Sequence, residues 1–318
     1  MNKDIRPFEQ CPGCGSPTAK ANRIFDVLLL REPCSVLQCR SCGLVYKEFA
    51  PTASGLTKIY SANYVHFQSS SSVSELPEMN SAKQKLARCR KLLATDCSPE
   101  ELRLLDVGCG SGSFVAIARR LGYSANGIDP YLPDSLQSSY LQKQSSEDIS
   151  ASSYDIAVLL NVAEHLDEPR RMFSAVRQLL KPGGVMLLTC PYGDSLARRI
   201  YQAGWGHLAL DEHLLFWTPR SLTHLLRELG FHGKVSYRIA GSPFPYGRIK
   251  LQTSALTLTK TQHQPASNTS SNQPNWQARI WKLARTIQRQ EATANFVRSL
   301  VHLTYTGDYL EYAIGVGI

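Results

Sequence analysis

Three glycines at alternate positions follow an apolar segment that contains an aspartate, and this combination is typical of a ligand-binding loop. Asp106 lies in the segment 104–107, and Gly108, Gly110 and Gly112 come directly after it. Glycine lets a backbone turn sharply and approach a ligand closely, because it has no Cβ atom. In an open α/β sheet, the end of the first strand is where a nucleotide-like ligand binds. The loop therefore predicts a nucleoside site without identifying its ligand.

A second acidic residue narrows the choice of ligand. Asp129 ends the predicted second strand, about twenty residues after the glycines, and a carboxylate there can accept hydrogen bonds from both ribose hydroxyls. The spacing D-x-G-x-G-x-G differs from the G-x-G-x-x-G loop that presents amides to a pyrophosphate at a helix amino terminus. It favours a nucleoside joined to an amino acid. A nicotinamide dinucleotide, and with it an NAD-linked oxidoreductase, is the less favoured alternative.

Two cysteine pairs near the amino terminus have the spacing of metal ligands. Cys11 and Cys14 form one C-x-x-C pair, and Cys39 and Cys42 form another, in a chain of nine cysteines. Each pair can hold one tetrahedral ion between two thiolates. A redox dithiol is the alternative, but two pairs without a βαβ context favour zinc. The segment is too small for a core of its own, so we expect zinc to supply its folding energy.

Length and composition exclude several classes of protein. The chain has 318 residues and a formal net charge of +9, and no apolar run approaches the roughly 20 residues that span a bilayer. The amino terminus lacks the apolar region of a signal peptide, so we expect a cytoplasmic protein. The basic residues are spread out, and no nucleic-acid-binding fingerprint is present. We therefore expect no nucleic-acid partner. The positive charge indicates a solvated basic surface or, as the alternative, affinity for phosphates, anionic substrates or a membrane surface.

Apolar segments and helical patterns alternate from residue 102 onwards, which argues for a parallel sheet. The predicted strands are 102–107, 124–129, 140–142, 154–160, 185–189, 234–239 and a last one at 308–316. We predict an α/β fold with a Rossmann-like, seven-stranded, mostly parallel sheet that has helices on both faces. A small β zinc ribbon, with strands at 24–29 and 35–38, precedes it.

The pattern also divides the chain into three parts. They are a zinc ribbon at 1–50, a linker and helical connection at 51–99, and the sheet domain at 100–318, with an insertion at about 245–305. Within the insertion, a polar loop at 261–275 is predicted to be disordered. A basic amphipathic helix is predicted at 276–303. We interpret its polar face as solvated, with peripheral contact to a membrane surface as the alternative.

Taken together, the motifs resemble those of the class I S-adenosylmethionine-dependent methyltransferases, from about residue 102 to 239. The resemblance rests on four segments in order: LLDVGCGSGSF at 104–114, GIDP at 127–130, YDIAVLLNVAEHLDEP at 154–169 and LLKPGGVMLLTCP at 179–191. More narrowly, the chain is similar to zinc-ribbon methyltransferases of sugar and cell-surface polysaccharide pathways. There a CxxCGLVY segment, here 39–46, precedes a Y-x-x-x-Y element, here Tyr60 and Tyr64. We interpret these tyrosines as packing against the next domain, with a substrate-facing pair as the alternative.

The resemblance implies a role for each site residue. The three glycines let the backbone pass the methionine part of S-adenosylmethionine, and Asp106 orients either that loop or the amino group. Asp129 binds the ribose. Ser146 and Glu147 are candidates for the adenine end, and Asn161 for the lining of the sulfonium pocket. Sugar C-methyltransferases of this type carry a large carboxy-terminal domain that this chain lacks, which argues against C-methylation.

Two histidines are candidates for the chemistry at the acceptor. His165 follows the fourth predicted strand of the sheet domain, where the acceptor is expected, and His213 lies in the segment 211–216. An imidazole suits removal of a proton near neutral pH. The alternatives are a structural role for His165 and transfer by positioning alone, without a base. We expect a hydroxylated acceptor that is small or lipid-linked, a sugar by the resemblance. A non-catalytic binding or scaffold protein on the same fold is the alternative.

Overall fold

The computed structural model describes residues 3–60, 75–93, 95–149, 154–208, 211–240 and 308–317. The whole of the predicted insertion, including the loop 261–275 and the helix 276–303, lies outside these residues, as does Tyr64. Among the described helices, none is long and apolar enough to span a bilayer.

The described elements comprise thirteen strands and six α-helices. The strands are β1 Ile5–Pro7, β2 Asn22–Leu29, β3 Glu32–Gln38, β4 Val45–Lys47, β5 Phe49–Pro51, β6 Arg103–Val107, β7 Ser124–Ile128, β8 Leu141–Gln142, β9 Tyr154–Leu160, β10 Leu180–Pro191, β11 Leu215–Phe216, β12 Val235–Ala240 and β13 Tyr309–Gly315. The helices are α1 Ala53–Ile59, α2 Glu75–Leu93, α3 Ser113–Arg120, α4 Pro169–Leu179, α5 Leu196–Tyr201 and α6 Pro219–Glu228.

Seven strands form the central sheet in the order β12-β13-β10-β9-β6-β7-β8. The neighbours β10-β9-β6-β7-β8 are parallel, and β13 runs antiparallel to both β10 and β12. The predicted fold class is thereby confirmed, including the last strand after the insertion. The strand order reverses between β6 and β9, and the carboxyl ends of these strands open the crevice in which such sheets bind ligands.

Helices cover both faces of the sheet, so its strands are buried on both sides. Successive residues of β6 point to opposite faces: Leu105 belongs to one core cluster and Leu104 to the other. The first cluster includes Phe173 of α4, and the second includes Leu86 of α2 and Val115 of α3. Helix α2 therefore packs on the sheet, although it lies in the predicted connection.

The ribbon forms a second sheet, which a distant part of the chain completes. Its strand order is β11-β4-β3-β2, and Leu215 and Phe216 of β11 pair with Tyr46 and Val45 of β4. The ribbon residues also share a core cluster with the central sheet. A ribbon boundary at residue 50 stays a prediction, but the ribbon's sheet includes a strand from beyond it. Two residues are too few for a periodic signal, so the sequence did not predict β11.

Candidate active site

The glycine loop has a backbone that side chains would disrupt. Gly108, Gly110 and Gly112 have φ values of +76°, +52° and +79°. A Cβ atom on Gly108 would lie 2.5 Å from Cγ2 of Val162, and one on Gly112 would lie 2.5 Å from Cδ1 of Leu141. Both the dihedral angles and the contacts therefore require glycine.

A cavity of about 500 Å³ opens beside this loop, a size typical of small-molecule sites. Most of the predicted site residues line it, namely Asp106, Gly108, Gly110, Asp129, Ser146, Asn161 and His165. Gly112 starts α3 behind the lining. The side chain of Glu147 lies outside what the structure describes, and His213 is one layer further inside.

Asp106 faces this cavity as a buried carboxyl group. It is 2% exposed, and its Oδ1 atom has no hydrogen-bond partner among the described residues. Burial, and to a lesser extent the nearby Asp129, raises the pKa of Asp106 to about 8. A buried acceptor without a donor destabilises a fold by about 1–3 kcal/mol. A ligand that brings a cationic N–H group would satisfy this oxygen, and the amino group of S-adenosylmethionine has that chemistry.

Asp129 connects the glycine loop to the end of β7. Its Oδ2 atom accepts a hydrogen bond from the amide of Gly110 at 3.1 Å, and its Oδ1 atom accepts one from the amide of Tyr131 at 2.8 Å. Each carboxylate oxygen has a second lone pair. The group can therefore hold the loop and still accept hydrogen bonds from two ribose hydroxyls.

Ser146 and Asn161 both line the cavity. Ser146 is buried in a short 3-10 helix, and its hydroxyl donates to Sδ of Met172 at 3.2 Å. Asn161 follows β9 with a φ of +57°, and its amide donates to the carbonyl of Thr189 at 2.9 Å. Asparagine tolerates this left-handed conformation better than most residues, so Asn161 turns the chain at the cavity wall.

The structure brings the two predicted histidines together at one end of the cavity. The ring centroids of His165 and His213 are 4.9 Å apart. The Nδ1 atom of His165 lies 3.2 Å from the hydroxyl of Tyr60, and Nδ1 of His213 donates to the carbonyl of His207 at 2.9 Å. Burial lowers the pKa of His213 well below its usual value, as do His165 and His207. The His213 imidazole is therefore neutral, with its lone pair on Nε2.

Glu164 lies beside the two histidines in the protein interior. Its side chain is 1% exposed, and Oε1 lies 4.0 Å from Nε2 of His165. Oε2 has no hydrogen-bond partner among the residues that the structure describes. Burial raises the pKa of Glu164 to about 8. Its backbone carbonyl accepts from the amides of Leu214 and Leu215, so the segment that carries His213 is fixed to it.

Sequence reasoning missed Tyr131 and the burial of Glu164, and it gave a substrate-facing role for Tyr60 only as the alternative to packing. The rings of Tyr60 and Tyr131 stack at 4.7 Å over the cavity, which both residues line. Tyr60 therefore packs on the next domain, as expected, and also faces the site. The Y-x-x-x-Y spacing was the available signal. The burial of Glu164 had no local signal, since it depends on β10 and β13.

The four predicted zinc ligands converge at the far end of the ribbon. Sγ of Cys11 lies 3.7 Å from Sγ of Cys42, and Sγ of Cys14 lies 3.5 Å from Sγ of Cys39. All four sulfur atoms are within 4.8 Å of one another. Zn–S bonds of about 2.3 Å in a tetrahedron separate the sulfurs by about 3.8 Å. The arrangement fits a Zn²⁺ ion bound by four thiolates.

A buried lysine lies between the ribbon and the segment that carries His213. Lys47 of β4 is fully buried, and burial lowers its pKa to about 8 against the opposing effect of Asp211, Cys34 and Glu212. The Lys47 amide donates to the carbonyl of Leu214 at 2.9 Å. The amino group is therefore near enough to Asp211 and Glu212, which precede His213, to interact with them electrostatically.

Comparisons with known proteins agree with this geometry. Residues 79–234 match the family model described as a methyltransferase domain. The ubiquinone biosynthesis O-methyltransferase of Cereibacter sphaeroides (strain ATCC 17025 / ATH 2.4.3) is 32% identical over 148 residues, which are 41% of this chain and 60% of that protein. The one from Caulobacter vibrioides is 26% identical over 173 residues, which are 50% of this chain and 66% of that protein. The chain thus spans about three fifths of the length of the first of these relatives.

Solved structures of similar shape include a Burkholderia thailandensis enzyme. It is 1,6-didemethyltoxoflavin-N1-methyltransferase, with bound 1,6-didemethyltoxoflavin and S-adenosylhomocysteine. The two chains are 12% identical, with a TM-score of 0.46, over 93% of this chain and 100% of that one. A methyltransferase from Archaeoglobus fulgidus is 19% identical, with a TM-score of 0.45, over 74% of this chain and 94% of that one.

Proposed function

Because residues 79–234 of this chain match the family model described as a methyltransferase domain, we propose that the protein transfers a methyl group from S-adenosylmethionine to a hydroxyl oxygen of a small molecule. Asp106 carries this proposal: it lines the cavity beside the glycine loop, and its Oδ1 atom is buried without a hydrogen-bond partner among the described residues. Asp106 would bind the amino group, and Asp129 the ribose. Ser146 and Glu147 would lie at the adenine end, and Asn161 beside the sulfonium group.

The histidine end of the cavity is suited to the acceptor. Bound S-adenosylmethionine supplies an electrophilic methyl group. The protein must place the acceptor oxygen in line with that group and remove its proton. His165 lines the cavity and has its Nδ1 atom engaged by Tyr60, so its Nε2 atom is the one suited to take the proton. His213 lies behind it as a neutral imidazole.

The chemistry of the acceptor is proposed in two forms. A sugar hydroxyl follows from the resemblance to zinc-ribbon methyltransferases, and the Tyr60–Tyr131 stack gives the cavity an aromatic wall on which a sugar ring can pack. A phenolic hydroxyl is the second candidate, because the curated relatives are named ubiquinone biosynthesis O-methyltransferases. We also propose that the four ribbon cysteines bind a structural Zn²⁺ ion, that the protein is cytoplasmic, and that the segment 276–303 contacts a membrane surface.

Calorimetry and an assay of methyl transfer test the proposal. We expect S-adenosylhomocysteine to bind and NAD to show no binding. Asp129→Ala should weaken S-adenosylhomocysteine binding by about 1–3 kcal/mol through lost hydrogen bonds to the ribose. Asp134→Ala is the matched control, since Asp134 is exposed and lies outside the cavity lining.

Sugars, lipid-linked sugars and phenols are then offered with S-adenosylmethionine, and formation of S-adenosylhomocysteine is measured. Transfer to one class identifies the acceptor. Binding without transfer to any class would support the non-catalytic alternative, and absence of binding would refute the proposed function.

A further inference from the structure

Two imidazoles and a carboxyl group converge at the histidine end of the cavity. Glu164, His165 and His213 each offer a ligand atom, and these three atoms lie within 4.8 Å of one another. Transfer of a proton needs one imidazole. The second imidazole and the buried carboxyl group are therefore left without a role in the proposed base mechanism.

In both histidines Nδ1 makes a hydrogen bond, which leaves Nε2 as the atom that could bind a ligand. Nδ1 of His213 donates to a backbone carbonyl, and Nδ1 of His165 is engaged by the hydroxyl of Tyr60. Both rings can therefore present Nε2 to the space beside Glu164. Histidines that bind metals nearly always make such a contact with the other nitrogen, because it fixes the tautomer and the ring orientation.

Glu164 supplies a second, independent observation that points to a ligand. It is almost completely buried, and its Oε2 atom has no hydrogen-bond partner in the part of the chain that the structure describes. A cation bound beside this oxygen would satisfy it and would offset the cost of ionising a buried carboxyl group.

We propose that Glu164, His165 and His213 bind a divalent transition-metal cation at the acceptor end of the cavity. One carboxylate oxygen and two imidazole nitrogens are ligands that Zn²⁺, Fe²⁺ and Mn²⁺ accept, with positions left open for a substrate. Bonds of about 2.0–2.2 Å require the ligand atoms to approach one another by roughly an ångström. Rotation of the Glu164 and His165 side chains can provide this movement. The site is distinct from the four-cysteine cluster of the ribbon.

This inference rests on the proposed function, because it assigns the cation a role toward the acceptor. A hydroxyl oxygen that coordinates a divalent cation loses its proton more readily. The O–H bond breaks, the proton passes to water and the alkoxide or phenoxide stays on the cation. In this form His165 and His213 serve as ligands, and neither has to act as the base.

Metal content separates the two sites. The purified protein is incubated with excess Zn²⁺, dialysed, and analysed for metal per chain. We expect two equivalents for the unaltered protein and for His224→Ala, a control at an exposed histidine. Glu164→Gln and His165→Ala should each retain one equivalent, held by the ribbon. One equivalent in all four proteins would overturn the proposal and leave the base mechanism.

Two further measurements separate loss of the metal site from misfolding and do not require methyl-transfer activity. Binding of S-adenosylhomocysteine to each variant reports an intact cofactor site, since neither substituted side chain is assigned to it. Co²⁺ replaces Zn²⁺ in a second titration. The thiolate site gives intense charge-transfer absorption and the proposed site does not. A second Co²⁺ equivalent without that absorption, lost in His165→Ala, is the expected result; its persistence in that variant would contradict the assignment.

Discussion

Tyr46 of the ribbon and Leu215 of the sheet domain are paired residues of one antiparallel ladder. This pairing extends the ribbon's sheet to the residues that directly follow His213. The amide of Leu30, in the turn between β2 and β3, also donates to Oδ1 of Asp211 at 2.9 Å. The position of His213 therefore depends on the fold of the ribbon, and through it on the four cysteines.

Loss of a zinc ligand should lower the metal content and the stability of the protein. We expect Cys11→Ser to lose the zinc equivalent that the ribbon binds and to lower the midpoint of thermal unfolding, because metal binding supplies the folding energy of such small segments. Cys97→Ser is the control at an exposed cysteine and should change neither. Metal analysis and calorimetric unfolding measure the effects. Equal zinc content and stability in Cys11→Ser and the unaltered protein would refute the four-cysteine site.

Alanine at the first glycine of the loop should destroy the cofactor site. Gly108 and Gly183 have nearly equal φ values, +76° and +77°. A Cβ atom at Gly108 would collide with Val162, whereas one at Gly183 would have no neighbour within 4 Å. We expect Gly183→Ala to lose about 1 kcal/mol of stability and to bind S-adenosylhomocysteine normally. Gly108→Ala should bind it at least tenfold more weakly in calorimetry. Equal affinities would show that the loop lies outside the cofactor site.

The buried carboxyl group of Asp106 predicts a dependence of cofactor binding on pH. Its folded-state pKa of about 8 lies above the ordinary value of 3.8, so the free protein holds a proton here at pH 7. An ammonium group that binds Asp106 must displace this proton. Affinity for S-adenosylmethionine should therefore rise from pH 6 to pH 8, by up to about tenfold per pH unit. Calorimetry of Asp106→Asn should show a smaller rise; an identical pH profile would contradict the assignment.

The same substitution should stabilise the protein without its cofactor. Between pH 3.8 and pH 8 the folded state holds the Asp106 proton and the unfolded state does not, so ionisation of this group favours unfolding as the pH rises. Asp106→Asn removes that contribution. We expect its free energy of unfolding to fall less between pH 5 and pH 8 than that of the unaltered protein, as measured by urea titration. If the free energy of unfolding fell more steeply with pH in the variant, a group other than Asp106 would be responsible for the pH dependence.

The Tyr60 hydroxyl and the Tyr60 ring should have separable effects. Tyr60→Phe removes the contact with Nδ1 of His165 and keeps the stack on Tyr131. We expect the affinity for S-adenosylhomocysteine to stay within about twofold. The activation free energy of methyl transfer should rise by about 0.5–1.5 kcal/mol, which lowers the rate. Tyr60→Ala should also weaken cofactor binding. Tyr237→Phe, at an exposed tyrosine, is the control. Full activity of Tyr60→Phe would assign Tyr60 a packing role alone.

The order of the elements was predictable because the longest strands of the parallel sheet, β9 and β10, contain continuous apolar segments and helical patterns separate the strands. The segments 154–160 and 124–129 differ from the observed β9 and β7 by at most one residue at an end. The glycine loop and Asp129 were predictable for a related reason. Ligand-binding residues of such sheets follow the carboxyl ends of strands, so the position of a strand gives the position of the residue. The β8 pattern was weaker, because that strand has only two residues.

The sequence by itself determined the sheet, the cysteine pairs and the positions of the glycine loop and Asp129, since these depend on local spacing and on burial along single segments. Tertiary structure alone decided the acceptor end. Tyr60 and His165 are 105 residues apart in the sequence, and β11 joins the ribbon through two residue pairs. Glu164 is buried because strands and a loop from separate parts of the chain cover it. No periodicity of a single segment reports such contacts, which arise only when distant elements pack together.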